Sequence, residues 1–259
     1  MNRYRAIAAL AMMSSLAALA ACNKNAVQDI TGPLPSARVK FFHFGVNAPG
    51  VHFYANDAKV TAITSATGIE STIGTVYGGV GVGGFYSAMT PGQYSFKGKI
   101  AATVDKDLAV ANIAGTLAEG KSYSVYMSGF YDATAKRSDG FILEDAYVGT
   151  IDFTVAYVRF VNAISNSTPM TLYARNTTTT TEVAVGAAVS YKAGSAFTSV
   201  PPAEYDLSTR VAGSSTNAIT RTAVSFVAGR VYTIGARGDM TVVSTTAANR
   251  PILDNTANR

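Results

Sequence analysis

Apolar and polar side chains alternate strictly through much of the chain, which predicts β-strands. Tyr94, Phe96 and Ile100 alternate with Ser95, Lys97 and Lys99. Tyr205, Leu207 and Val211 alternate with Asp206, Ser208 and Arg210. A period of two puts one set against a core and the other in water. Tyr123, Val125 and Met127 repeat the pattern against Ser122, Ser124 and Ser128. Residues 39–44 and 158–161 are apolar on both parities, as expected of central strands buried on both faces. Pro91-Gly92-Gln93-Tyr94 and Glu119-Gly120-Lys121-Ser122 read as turns that enter strands. Past the N-terminal segment no amphipathic helical period of useful length occurs. Short strands separated by Gly and Pro turns predict an all-β chain built as sandwiches.

The pattern occurs twice. Ala37-Arg38-Val39-Lys40-Phe41-Phe42-His43 matches Ala156-Tyr157-Val158-Arg159-Phe160-Val161-Asn162, and Phe53-Tyr54-Ala55 matches Leu172-Tyr173-Ala174, both at an offset of 119. Pro91-Gly92-Gln93-Tyr94 matches Pro202-Ala203-Glu204-Tyr205, Glu119-Gly120-Lys121-Ser122-Tyr123 matches Ala228-Gly229-Arg230-Val231-Tyr232, and Ile142-Leu143-Glu144 matches Ile252-Leu253-Asp254. The order is conserved between the copies, and each copy has an ordinary domain size. One β-sandwich is expected over residues 37–148 and a second over 149–259. Between Tyr54 and Tyr94 the first copy carries eight residues more than the second does between Tyr173 and Tyr205.

The N-terminal segment has the three parts of an export signal. Arg3 and Arg5 precede an uncharged stretch, residues 6–21, which is shorter than the roughly 20 residues a membrane-spanning helix needs. Leu19-Ala20-Ala21-Cys22 closes it and resembles a bacterial lipobox. Residues 1–21 are therefore expected to be a cleaved lipoprotein signal peptide. Cys22 is the expected lipidation site and membrane attachment, and residues 22–36 form a flexible tether containing Gly32, Pro33 and Pro35. The expected location is the bacterial cell envelope, at the outer membrane.

The strand openings resemble a known family. Residues 39–54, from Val39-Lys40-Phe41-Phe42-His43 through Asn47-Ala48-Pro49 to Phe53-Tyr54, are similar to the opening of the bacterial domain-of-unknown-function 4397 family. Thr90-Pro91-Gly92-Gln93-Tyr94 and Leu117-Ala118-Glu119-Gly120-Lys121-Ser122-Tyr123 resemble its later turn-into-strand landmarks. The second copy keeps these landmarks, has Asn162 where the first has His43, and lacks the Asn-Ala-Pro run. The resemblance implies two tandem immunoglobulin-like antiparallel β-sandwich domains outside the cytoplasm, often on lipoproteins. It implies no activity.

Composition narrows the chemistry. Cys22 is the only cysteine, so no disulfide can form within the chain and no cysteine-based metal site exists. Without the leader the net charge falls from +5 to +3, and the remaining cations form no stripe, which argues against a nucleic-acid partner. Gly79-Val80-Gly81-Val82-Gly83-Gly84 fits a dinucleotide fingerprint formally, but Phe85-Tyr86-Ser87 leads to a turn instead of the helix that motif requires, so no cofactor is expected. Its aromatic flanks, Tyr77, Phe85 and Tyr86, make it a candidate binding loop. His43 and His52 are the only histidines and lack a third ligand nearby in sequence, so no metal is expected. Asp139-Gly140 beside Lys136 and Arg137 reads as a hairpin tip. No nucleophile elbow is present and no catalytic residue is assigned. The expected function is a non-enzymatic, lipid-anchored envelope protein that offers its two domains to a protein or glycan. Two alternatives are a structural spacer and a hydrolase of envelope polymers.

Overall fold

The computed structural model describes residues 36–61, 70–147 and 149–258. Leu19, Ala20, Ala21 and Cys22 lie outside the described residues. The first copy consists of β1 (Ala37–His43), β2 (Val51–Ala55), β3 (Ala58–Lys59), β4 (Ser87–Met89), β5 (Gly92–Ile100), β6 (Ala109–Leu117), β7 (Ser122–Asp132) and β8 (Arg137–Glu144). The second consists of β9 (Ala156–Asn162), β10 (Met170–Asn176), β11 (Glu182–Val189), β12 (Ala193–Gly194), β13 (Thr198–Val200), β14 (Ala203–Val211), β15 (Ile219–Phe226), β16 (Val231–Arg237) and β17 (Ile252–Ala257). No α-helix occurs among the described residues.

Each copy is a sandwich of two sheets, and the strand order repeats. In the first copy the sheets run β4-β1-β7-β8 and β3-β2-β5-β6; in the second, β12-β9-β16-β17 and β11-β10-β14-β15, with β13 also on β9. Most pairings are antiparallel. The exceptions are β1 with β7 and β9 with β16, which are parallel. The first strand of each copy is flanked on one side by an antiparallel strand, β4 on β1 and β12 with β13 on β9, and on the other by the parallel strand that arrives later, β7 or β16. Hydrogen bonds recur with the topology. The Tyr94 hydroxyl donates to Thr90 O and its counterpart Tyr205 to Pro201 O, both at 2.8 Å. Tyr123 accepts from the Ala118 amide and Tyr232 from the Val227 amide.

Two cores sit inside the sandwiches. Val39, Phe41, Phe53, Phe96 and Val125 fill the first, where the Phe41 and Phe53 rings lie 5.2 Å apart. Val158, Phe160, Leu172, Leu207, Phe226 and Ile234 fill the second. The alternation in β14 holds: Tyr205 is buried at 2% exposure. Tyr94 is half-buried, stacked on Phe96 near the strand end. Tyr205→Asp is therefore expected to cost several kcal/mol by burying an unpaired charge. Tyr94→Asp should cost less, and Lys97→Asp should leave the midpoint nearly unchanged, since among the described residues its ion pair is with exposed Asp57. Urea unfolding of the three variants checks this order.

Two expectations need correction. Ser122, Ser124 and Ser128 do not face water, because residues 122–129 of β7 are buried on both parities. On the second face of β7, Ser124 donates to Asp145 and Ser128 shares a hydrogen bond with Tyr191 of the second copy. Asp139 is not at a hairpin tip. It lies within β8 opposite Ser128, and the turn between the strands falls at residues 133–136. Residues 177–181, a run of threonines, form the turn between β10 and β11.

The two copies belong to one compact unit spanning Pro35–Arg259. A third apolar cluster joins them: Phe42, Phe44, Tyr126 and Phe141 from the first copy meet Val161 and Ala163 from the second. Tyr126 is sandwiched between Phe42, 4.5 Å away, and Phe141, 4.8 Å away, with nearly parallel rings. The arrangement is reciprocal and unequal. Phe42 and Phe44 correspond to Val161 and Ala163, and Tyr126, opposite Phe42 in register, corresponds to Gly235, opposite Val161. The Phe44 ring occupies the space above Gly235, where an added Cβ would stand 3.0 Å from it.

Candidate functional site

β1 and β9 each bury one cation among apolar neighbours, at the same position of the repeat: Lys40 and Arg159. Both are buried, and both reach across to the end of the other copy. The Arg159 guanidinium pairs with Asp145, donates to Glu144 O at 3.1 Å, and donates through Nε to the Thr233 hydroxyl at 2.9 Å. Lys40 Nζ donates to Ala257 O at 3.0 Å and to Asn258 Oδ1 at 3.3 Å. Neither charge could stay in an apolar strand without such partners.

Asp145 is the hub. Besides Arg159 it accepts from the Tyr86 hydroxyl at 2.5 Å and the Ser124 hydroxyl at 2.9 Å, and Tyr86 shares a second hydrogen bond with the Tyr147 hydroxyl. Burial, followed by the Asp145 carboxylate, pushes the Tyr86 phenol far above its ordinary range. The same two causes push Tyr147 up to about 12. Both phenols therefore keep their protons as donors.

Lys40 moves the other way. Burial pulls its pKa down to about 8; Asp145 opposes the shift and Arg159 adds to it. The Tyr86 ring lies 4.5 Å from Nζ. Between pH 8 and 10.5 the unfolded lysine keeps a proton that the folded one has lost, so stability from this group rises with pH across that window. Below pH 8 the folded chain carries the cost of a buried ammonium. Any stability advantage of Lys40→Met over the parent should therefore shrink by a few degrees of Tm as pH rises from 8 to 10. Thermal melts at stepped pH measure the difference, and a flat one would refute the buried-ammonium account.

The glycine-rich segment expected as a binding loop straps the two copies together. Gly78 donates to His43 O at 2.7 Å, and His43 donates back to Gly79 O at 3.0 Å, so the segment runs along the end of β1. Arg237 of β16 lies over the Tyr77 ring at 4.6 Å while pairing with Asp254. Its guanidinium occupies the space beside Gly78, where a Cβ would meet Nη2 at 2.7 Å; the backbone there has φ +80°. Tyr77 and Tyr86 are thus packed into the junction, and only Phe85 of the three expected residues is free, at 75% exposure. Just before it, Val82 and Gly83 adopt left-handed φ angles of 52° and 62°. A β-branched residue in that region carries strain on the order of 1–3 kcal/mol.

The strap closes one side of a cleft of about 460 Å³ between the copies. Lys40, Gly83, Gly84, Phe85 and Tyr86 line it from the first copy, and Arg230, Thr256, Ala257 and Asn258 from the second. Two larger hollows, of about 580 and 600 Å³, are open grooves within the first copy. In one, Lys136 and Asp139 are already paired with Asp105 and Lys192; the other is lined by no charged residue.

The histidines do local structural work. His43 donates through Nε2 to Pro49 O at 2.9 Å, while Asn162, its counterpart, donates to Ser167 Oγ and Val189 O. Different side chains at the same strand end secure the turn that follows. Buried His52 sits 3.5 Å from Glu70. Among the described residues no three His, Cys, Asp or Glu side chains gather around one point.

Lys40, Arg159 and Asp145 were missing from the sequence-based candidates. A cation at the same position of the same apolar strand in both copies was the available signal. The architecture is that of a tandem β-sandwich protein whose two copies share a buried polar and aromatic junction. Residues 156–258 match the family model described as Domain of unknown function (DUF4397), and the second copy is a DUF4397-like domain. The match falls on the copy that has Asn162 in place of the histidine. No curated protein matches the chain.

Proposed function

We propose that this is a lipid-anchored, non-enzymatic protein of the bacterial cell envelope that binds a protein or glycan partner at the junction of its two repeats. The observation that carries the reading is the cleft itself. It is concave, it is walled by both copies, and it combines two cations with an exposed aromatic ring, the mixture typical of ligand sites. The engagement of His43 by Pro49 and of His52 by Glu70 supports the non-enzymatic part. Attachment rests on Cys22 behind Leu19-Ala20-Ala21; among the described residues no helix is long and apolar enough to cross a membrane.

Two experiments test the parts separately. Cys22→Ser should move the protein from the membrane fraction to the soluble fraction with its melting temperature unchanged. Retention of the variant in membranes would sink the lipid anchor. Cross-linking in native envelopes should capture a partner through the cleft residues. A second reading, a rigid spacer without a ligand, draws on the packed junction, which holds the copies in one orientation. Capture that fails with the parent chain as well as with cleft variants would favour the spacer.

A further inference from the structure

Resting on the binding reading above, we propose that the junction cleft is a site for an acidic saccharide, a sugar ring bearing a carboxylate. The charge balance points to an anion. Lys40 lies in the floor, Arg230 at the exposed rim, and Arg159 behind the floor is already matched by Asp145. Among the described residues no acidic side chain lines the cleft. Arg230 makes no ion pair among the described residues, so its guanidinium is available to a carboxylate as a two-pronged donor. Lys40 adds positive potential from a site sheltered from water, where screening is weak.

The walls point to a ring. Phe85 is exposed at the mouth, and aromatic rings take the CH-rich faces of pyranoses as they take other flat apolar surfaces. Beside it Gly83 and Gly84 present bare backbone. A Cβ built on Gly84 would meet nothing within 4 Å, so that direction is open space. The left-handed backbone at Val82 leads directly into this wall, and strained backbone clusters at binding sites. Thr256, whose hydroxyl forms no hydrogen bond among the described residues, and the main chain of Ala257 complete the opposite side as partners for sugar hydroxyls.

The test is calorimetric titration of the full chain with trigalacturonic acid, maltotriose and inorganic phosphate at one salt concentration. The acidic trisaccharide should bind while maltotriose does not, and phosphate should compete only weakly. Arg230→Ala and Phe85→Ala change exposed side chains and should leave the melting temperature intact. Each should weaken binding by about tenfold or more. Lys40→Met should do the same, with circular dichroism confirming its fold. Equal binding of maltotriose would overturn the charge requirement, and phosphate competing as well as the trisaccharide would overturn the sugar requirement. Absence of all binding, or variants that bind like the parent, would overturn the site. Envelope cross-linking to a partner that survives Arg230→Ala would then place the binding function elsewhere on the molecule.

Discussion

Asp145→Ala is expected to destabilise the chain by about 3–5 kcal/mol, because it strands a charge that the fold has removed from water. The Arg159 side chain is 3% exposed and its Asp145 partner 0%. Without the carboxylate, Arg159 keeps the Glu144 carbonyl, the Thr233 hydroxyl and the Phe197 ring, all neutral. The Tyr86 and Ser124 hydroxyls lose their acceptor at the same time. Arg159→Met in the Asp145→Ala background should recover a good part of the loss, since two apolar replacements leave no buried ion. Urea unfolding of the two single variants and the double variant measures the coupling. Simple additivity would mean that the pair does not act as a unit.

The second large effect concerns Tyr126. Tyr126→Ala should cost about 3–5 kcal/mol, the range for deleting a buried aromatic ring. The ring is fully buried, and its stacks with Phe42 and Phe141 would collapse into a void. Tyr126→Phe keeps the stack and should stay within roughly 1 kcal/mol of the parent. The unfolding transition of Tyr126→Ala will distinguish local from global damage. A single shifted transition means that the copies unfold together, whereas two transitions mean that the junction opened while the sandwiches persisted.

Much of the fold was legible because both of its periods are visible locally. The alternation in β5 and β14 and the landmarks repeated at offsets of 109–119 place strands, turns and the two copies without any knowledge of contacts. The junction was not legible in the same way. Ser124 and Ser128 alternate with Val125 and Met127 just as residues of a solvent-facing set would, because a serine that faces water and one that faces a carboxylate or a tyrosine read alike. Tyr77 reads in sequence like Phe85, an aromatic flank of a candidate binding loop, yet its neighbour is Arg237, far along the chain. Local pattern reports whether a strand face is polar. What that face meets depends on the second copy.

The unequal matching of side chains across the junction also governs which surfaces can pair. Two first copies placed face to face would force Phe42, Phe44 and Tyr126 of each into a space that accommodates one such set. Two second copies would leave the same space empty around Val161, Ala163 and Gly235. Only a first copy against a second fills it. The chain is in effect a homodimer whose symmetry has been broken and whose halves have been joined. Joining supplies each half with its complementary mate at high local concentration, so the junction face of each copy is filled within its own chain.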